Sequence, residues 1–221
     1  MSEITGAFSS IVSDALSIIA PGLPTATLCT AIQMSTHHLL HKRTDEAFEI
    51  LLEETRDGVF PSRTPDDISS VLGMMLRYQR AAIEGSAKVN LRIMASIFKG
   101  ILEQECVYPD KFQSMANRIS DLTVEELWVV ALVYKYKRAI DEKRERTERD
   151  LSFSECDEIG DQIFGKDYKN QDRVLAYCAS ASRAGLIMPQ YDQNLFRYTT
   201  THIMDELVVL SDFQKILDKE N

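Results

Sequence analysis

Three histidines, His37, His38 and His41, lie close to Asp45 in a chain of 221 residues. A helix through this stretch puts His37 and His41 four residues apart on one face, with Asp45 one turn further along. That is metal-ligand spacing. Zinc, however, needs a third or fourth ligand in fixed geometry, and no Glu stands between the histidines in the H-E-x-x-H arrangement. A polar stripe where a helix meets solvent has the same spacing. The expectation is that polar stripe, with no metal and no other cofactor.

Other chemistry is weaker still. Pro109-Asp110 and Asp141-Glu142-Lys143 superficially match a restriction-nuclease pattern, which presents its acids from strands. Here both candidates fall in helical or charged surroundings. There is no G-x-x-x-x-G-K-S/T phosphate loop, no G-x-G-x-x-G after a strand and no G-x-S-x-G elbow. Cys29, Cys106, Cys156 and Cys178 are scattered, without C-x-x-C spacing, and read as buried thiols of a reducing cytosol. In the C-terminal half only His202 could partner a cysteine. The chain is expected not to be an enzyme.

The elements carrying these residues are helical. From Ala15 to His41 there is no Asp, Glu, Lys or Arg, but Pro21-Gly22-Leu23-Pro24 divides the run into pieces too short to span a bilayer. The first piece places Phe8, Ile11, Val12, Ala15, Leu16 and Ile19 at helical spacing. The second runs from after Pro24 through Leu51 and Leu52 to about Arg56. Thr64-Pro65-Asp66-Asp67 starts a helix reaching about Ile83, with Val71, Met74, Met75 and Tyr78 along it. A bend at Gly85 leads to a helix through Leu91, Met94, Phe98 and Leu102. Tyr108-Pro109-Asp110 opens a short one with Phe112, Met115 and Ile119. Thr123-Val124-Glu125-Glu126 is a capping box, with Leu122 and Leu127 set as a hydrophobic staple. The mixed-charge stretch 141–150 reads as a solvated helix end or linker.

Beyond it, Ser154 and Asp157 mark a cap for a short helix with Ile159 and Ile163. Asn170 caps a helix with Val174, Leu175, Cys178 and Ala181 inward. Gly185 ends that helix. A strand, the turn Tyr191-Asp192-Gln193-Asn194 and the return strand Leu195-Phe196-Arg197-Tyr198-Thr199 follow. Thr201 then caps a last helix running to Leu217. Residues 123–215, with Ala184-Gly185-Leu186 closing a third helix and Tyr198-Thr199-Thr200-Thr201 opening a final one, resemble the winged helix-turn-helix superfamily. The whole chain is similar to uncharacterised bacterial proteins that join an apolar helix pair to a C-terminal winged helix. The expected fold is mostly α: a helical domain over 1–120 and a winged-helix-like domain with a small β-hairpin over 121–221.

The resemblance implies a third helix that enters the DNA major groove and a wing on the backbone. Lys166, Lys169, Arg173 and Arg197 are the residues for that role. Charge argues the other way. The chain carries net charge -9; residues 61–140 are net +2 and residues 151–200 net -2. Asp157, Glu158, Asp161, Asp167 and Asp172 surround the same face, and phosphate neutralisation supplies much of duplex affinity. Arg77, Arg80, Lys88, Arg92 and Lys99 read as the solvent faces of two middle helices. The expected function is a cytoplasmic, non-enzymatic protein-binding subunit of a bacterial complex. The family likeness extends this to phage defence. Arg173, Tyr177 and Tyr191 are the contact residues, since exposed aromatic and Arg side chains anchor interfaces. Asn170, Gln171 and Ser180 are expected on the same outward face. The alternatives are a DNA-binding regulator and a membrane-active effector using residues 7–40; a homo-oligomer is compatible with each.

Overall fold

Two reciprocal capping boxes set the frame. Asp67 donates its backbone N–H to Thr64 Oγ1 (3.2 Å) while Thr64 N–H donates to the Asp67 carboxylate (3.0 Å). Glu126 N–H donates to Thr123 Oγ1 (3.2 Å) and Thr123 N–H to Glu126 Oε2 (2.8 Å). Each pair satisfies two backbone donors that a helix start otherwise leaves bare. Glu126 is buried in the process, and Leu122 and Leu127 are buried on either side of its box.

The computed structural model describes residues 25–61, 64–144, 170–192 and 195–219. Their helices are α1 (Thr25–Thr55), α2 (Pro65–Glu84), α3 (Lys88–Leu102), α4 (Pro109–Ser120), α5 (Val124–Arg144), α6 (Asn170–Ser182), α7 (His202–Leu210) and α8 (Phe213–Lys219). Strands β1 (Ile187–Asp192) and β2 (Leu195–Thr200) form a two-stranded antiparallel sheet, pairing Ile187 with Thr200 through to Asp192 with Leu195. The fold is mostly α, with one hairpin near the C-terminal end, compatible with a winged-helix layout. The expected caps at Ser154 and Asp157, the short helix of Ile159 and Ile163, and the first apolar piece, Phe8 to Ile19, lie outside the described residues.

The chain divides into two units, residues 1–46 and 47–221. In the first, α1 carries an exposed His41 and Asp45 and an i,i+4 pair between Lys42 and Glu46 (3.9 Å). Among the described residues no helix is long and apolar enough to cross a membrane.

In the second unit one continuous core runs from Ala47 to Leu217. Helix α3 is its axis: ten of its residues are buried, and α2, α4, α7 and α8 lie against it. Phe98 and Phe112 meet edge to face at 5.7 Å, locking α3 to α4. Asn90, fully buried on α3, donates from Nδ2 to the carbonyls of Ile119 and Leu122, both at 2.7 Å. Tyr78 on α2 donates its phenol to the Ala47 carbonyl (2.9 Å). Burial first, and the Glu54 charge second, push that phenol well above its ordinary pKa, so it stays neutral in the folded protein.

The middle region's cations are less free than a solvent face implies. Arg92 pairs with both Glu53 and Glu54 at 3.1 Å. Arg77 donates to Asn117 Oδ1 (2.8 Å) and Ser120 Oγ (3.1 Å). Lys99 pairs with Glu103, and Arg80 with Glu84 at 2.7 Å, holding that carboxyl below its usual range. Lys111 and Lys137 pair with Glu206 and Asp205 at 3.8 and 3.7 Å, so these two and Arg92 set the excess positive charge of this stretch against carboxylates elsewhere in the chain.

Two sequence expectations are corrected near the C-terminus. The last helix is two, because Ser211 is extended (φ -141, ψ 153) and ends α7 before Phe213 starts α8. The Asp212 N–H there donates to Ser96 Oγ on α3 (2.9 Å). Thr201 does precede α7, but its hydroxyl does not cap it. It turns back and donates to the Gly185 carbonyl at 2.6 Å.

Candidate functional site

The expected contact surface is built on the turn between α6 and β1. Gly185 there has φ 72, a left-handed conformation that a side chain resists. An added Cβ would also meet Arg118 Nη1 at 2.6 Å. Arg118 reaches across from α4 and donates to the Ala184 carbonyl (2.5 Å). With Thr201 on the Gly185 carbonyl and Thr201 N–H on the Leu186 carbonyl (3.0 Å), three consecutive carbonyls of the turn are held. Leu186 and Ile187 then plunge into the core. The base of the hairpin is thus fixed by α4 as well as by its own neighbours. Arg118→Met is expected to lower stability by about 1 kcal/mol, a charge-assisted bond discounted for partial exposure. Urea denaturation would show it as a lower midpoint at unchanged slope; an unaltered midpoint would refute the tie.

The outward face of α6 differs from expectation. Val174, Cys178 and Ala181 are buried as foreseen, and Arg173 is exposed. Tyr177 is half-buried against the core, so its ring already serves the fold. Both Arg173 and Tyr177 make interactions within the chain. Asp172, Ala176, Ala179 and Arg183 stand exposed on α6 and the turn after it, whereas Ser180 is half-buried. Arg183 bends back to Ser180, with Nη2 2.6 Å from its hydroxyl. Next to the turn, β1 exposes Met188, Pro189 and Gln190. Pro189 offers no N–H, which blunts that strand's capacity to extend the sheet.

Of the other expected residues, Tyr191 and Arg197 are placed by backbone on β1 and β2, opposite Phe196 and Gln190 respectively. Their side chains, those of Asn170, Gln171 and His37, and all of Lys166 and Lys169 lie outside the described residues. Among the described residues no three of His, Cys, Asp and Glu come together to hold a metal. Cys178 is buried, but Cys106 is exposed, against the expectation of buried thiols.

Sequence reasoning missed a second surface. Ile68, Leu72, Leu76 and Ile83 of α2 are 53%, 56%, 67% and 37% exposed. The spacing was there to read: four, four and seven residues apart, beside the buried set Met74, Tyr78 and Ala81. Two adjacent apolar stripes on one helix look like one broad core face until a structure separates them.

No protein-family model matches this chain, and no curated protein or solved structure shows significant similarity to it.

Proposed function

We propose that the protein is a non-enzymatic docking subunit that binds another protein through its C-terminal part, which takes a winged-helix arrangement. One observation carries the reading: the described outward face of α6 offers Asp172, Arg173, Ala176, Ala179 and Arg183, next to Met188, Pro189 and Gln190. Small and apolar side chains with a few charges of both signs suit a protein surface. They do not suit a phosphate backbone, which needs several cations to bind well. The net charge of -9 weighs in the same direction. Arg173 and Met188 are the contact residues, with Ala176 and Ala179 letting a partner helix approach closely. The same reading makes it an accessory subunit of a larger complex in the cytoplasm.

The test uses Ala176→Arg and Ala179→Arg, which fill the proposed contact face at exposed positions without touching the core. Affinity purification from the native host is expected to recover a stoichiometric protein partner with the wild type and to lose it with either variant, while thermal stability stays unchanged. A parallel mobility-shift assay with duplex DNA at low salt is expected to show no binding. If the wild type instead shifts DNA, and Ala at Lys166, Lys169, Arg173 and Arg197 abolishes the shift, the protein is a DNA-binding regulator and the docking reading is wrong.

A further inference from the structure

Helix α2 is apolar over a wider arc than its own core requires. At 100° per residue, Ile68, Leu72, Leu76 and Ile83 fall within about 80° of one another, on a side distinct from buried Met74, Tyr78 and Ala81. Pro65 lies on the same stripe. The flank beside it carries Asp66 near the start of the helix and, near its end, Arg80 paired with Glu84. Gly73 sits midway, seven residues from each. Nothing lies within 4 Å of a Cβ added at Gly73, so the middle of this flank is open.

We propose that this face of α2 is a self-association surface, on which a second copy of the chain packs antiparallel about a two-fold axis near Gly73.

The geometry follows from symmetry. In an antiparallel two-fold pair the same flank of each helix meets the same flank of the other. Asp66 of one copy then stands beside Arg80 of its mate, and the pair occurs twice. A parallel pairing would instead set this flank against the opposite flank of the mate, and Asp66 would not meet Arg80. Along the stripe, Leu72 meets Leu76, Ile68 lies over Leu76 and Gln79, and Pro65 falls opposite Ile83. The Arg80–Glu84 bond within each helix leaves guanidinium donors for the second carboxylate. A single helix pair buries less than the roughly 1,200 Å² at which stable interfaces begin, so dissociation is expected in the micromolar range.

Sedimentation velocity on the full chain, from about 1 µM to about 200 µM, tests this across the expected range. Monomer is expected at the low end and dimer at the high end. Leu72→Glu combined with Leu76→Glu should hold the protein monomeric throughout, with unchanged circular dichroism, because both side chains are exposed. Asp66→Arg or Arg80→Asp alone should weaken association by about five-fold, and the two together should restore it. A chain that stays monomeric at the highest concentration overturns the proposal, whatever else meets the stripe. Dimers indifferent to the leucine changes overturn it too, as do single charge reversals without effect.

Discussion

Asn90→Ala is expected to lower the unfolding free energy by about 3 kcal/mol, from lost hydrogen bonds and a small cavity together. The side chain is fully buried, and its amide joins the Ile119 and Leu122 carbonyls, where α4 ends and the chain turns into the α5 capping box. Deleting it takes a donor from both carbonyls in a place water reaches poorly. Asn90→Asp should be worse, since a carboxylate would face two carbonyl oxygens. Urea titration followed by far-ultraviolet circular dichroism gives the measure, through the midpoint at constant slope. A loss under about 1 kcal/mol would mean that the clamp contributes no more than an ordinary surface hydrogen bond.

The second large effect is a contrast between two glycines on neighbouring helices. A Cβ at Gly100, on α3, would collide with the Leu210 carbonyl group, its carbon only 2.9 Å away, at the end of α7. The obstruction is backbone, which cannot swing aside. Ala would favour the helix by about 1 kcal/mol, yet α7 must retreat, taking buried Leu210 and Phe213 and the Ser96–Asp212 bond with it. The net expectation for Gly100→Ala is a loss of about 2 to 4 kcal/mol. At Gly73, with open space around it, the same substitution should stabilise the monomer by about 0.5 to 1 kcal/mol. Thermal melts at low micromolar concentration would compare the two. Equal shifts at both sites would show that helix propensity, rather than the α3–α7 approach, decides the outcome.

These cases show where sequence reading reaches and where it stops. The helix start at Thr64, the box at Thr123, the stop at Gly185 and the hairpin after it were legible because each is decided within a few residues. Asn90, Ser96 and Arg118 were not. Their partners are backbone groups 29, 116 and 66 positions away, and nothing in the local pattern distinguishes them from solvent-facing polar residues. Thr201 misled for a related reason. Its hydroxyl can satisfy the helix ahead or the turn behind, and only the returning chain decides. Tyr177 fell on the boundary of its helix's inner face, where a rotation of a few tens of degrees separates anchor from core. The α2 stripe was hidden by abundance rather than by absence.

The hydrogen bond between Ser96 and Asp212 joins two distant parts of the chain. It closes a loop of 116 residues, and the entropy of such a closure is about 4 kcal/mol, several times what one hydrogen bond returns. The bond cannot form ahead of its surroundings. It exists only once Phe213, Ile216 and Leu217 have sunk into the same core as α3. The tail and the central helices must therefore be gained and lost in one step, so heating should give a single sharp transition for this unit, without an early fraying of its final helix.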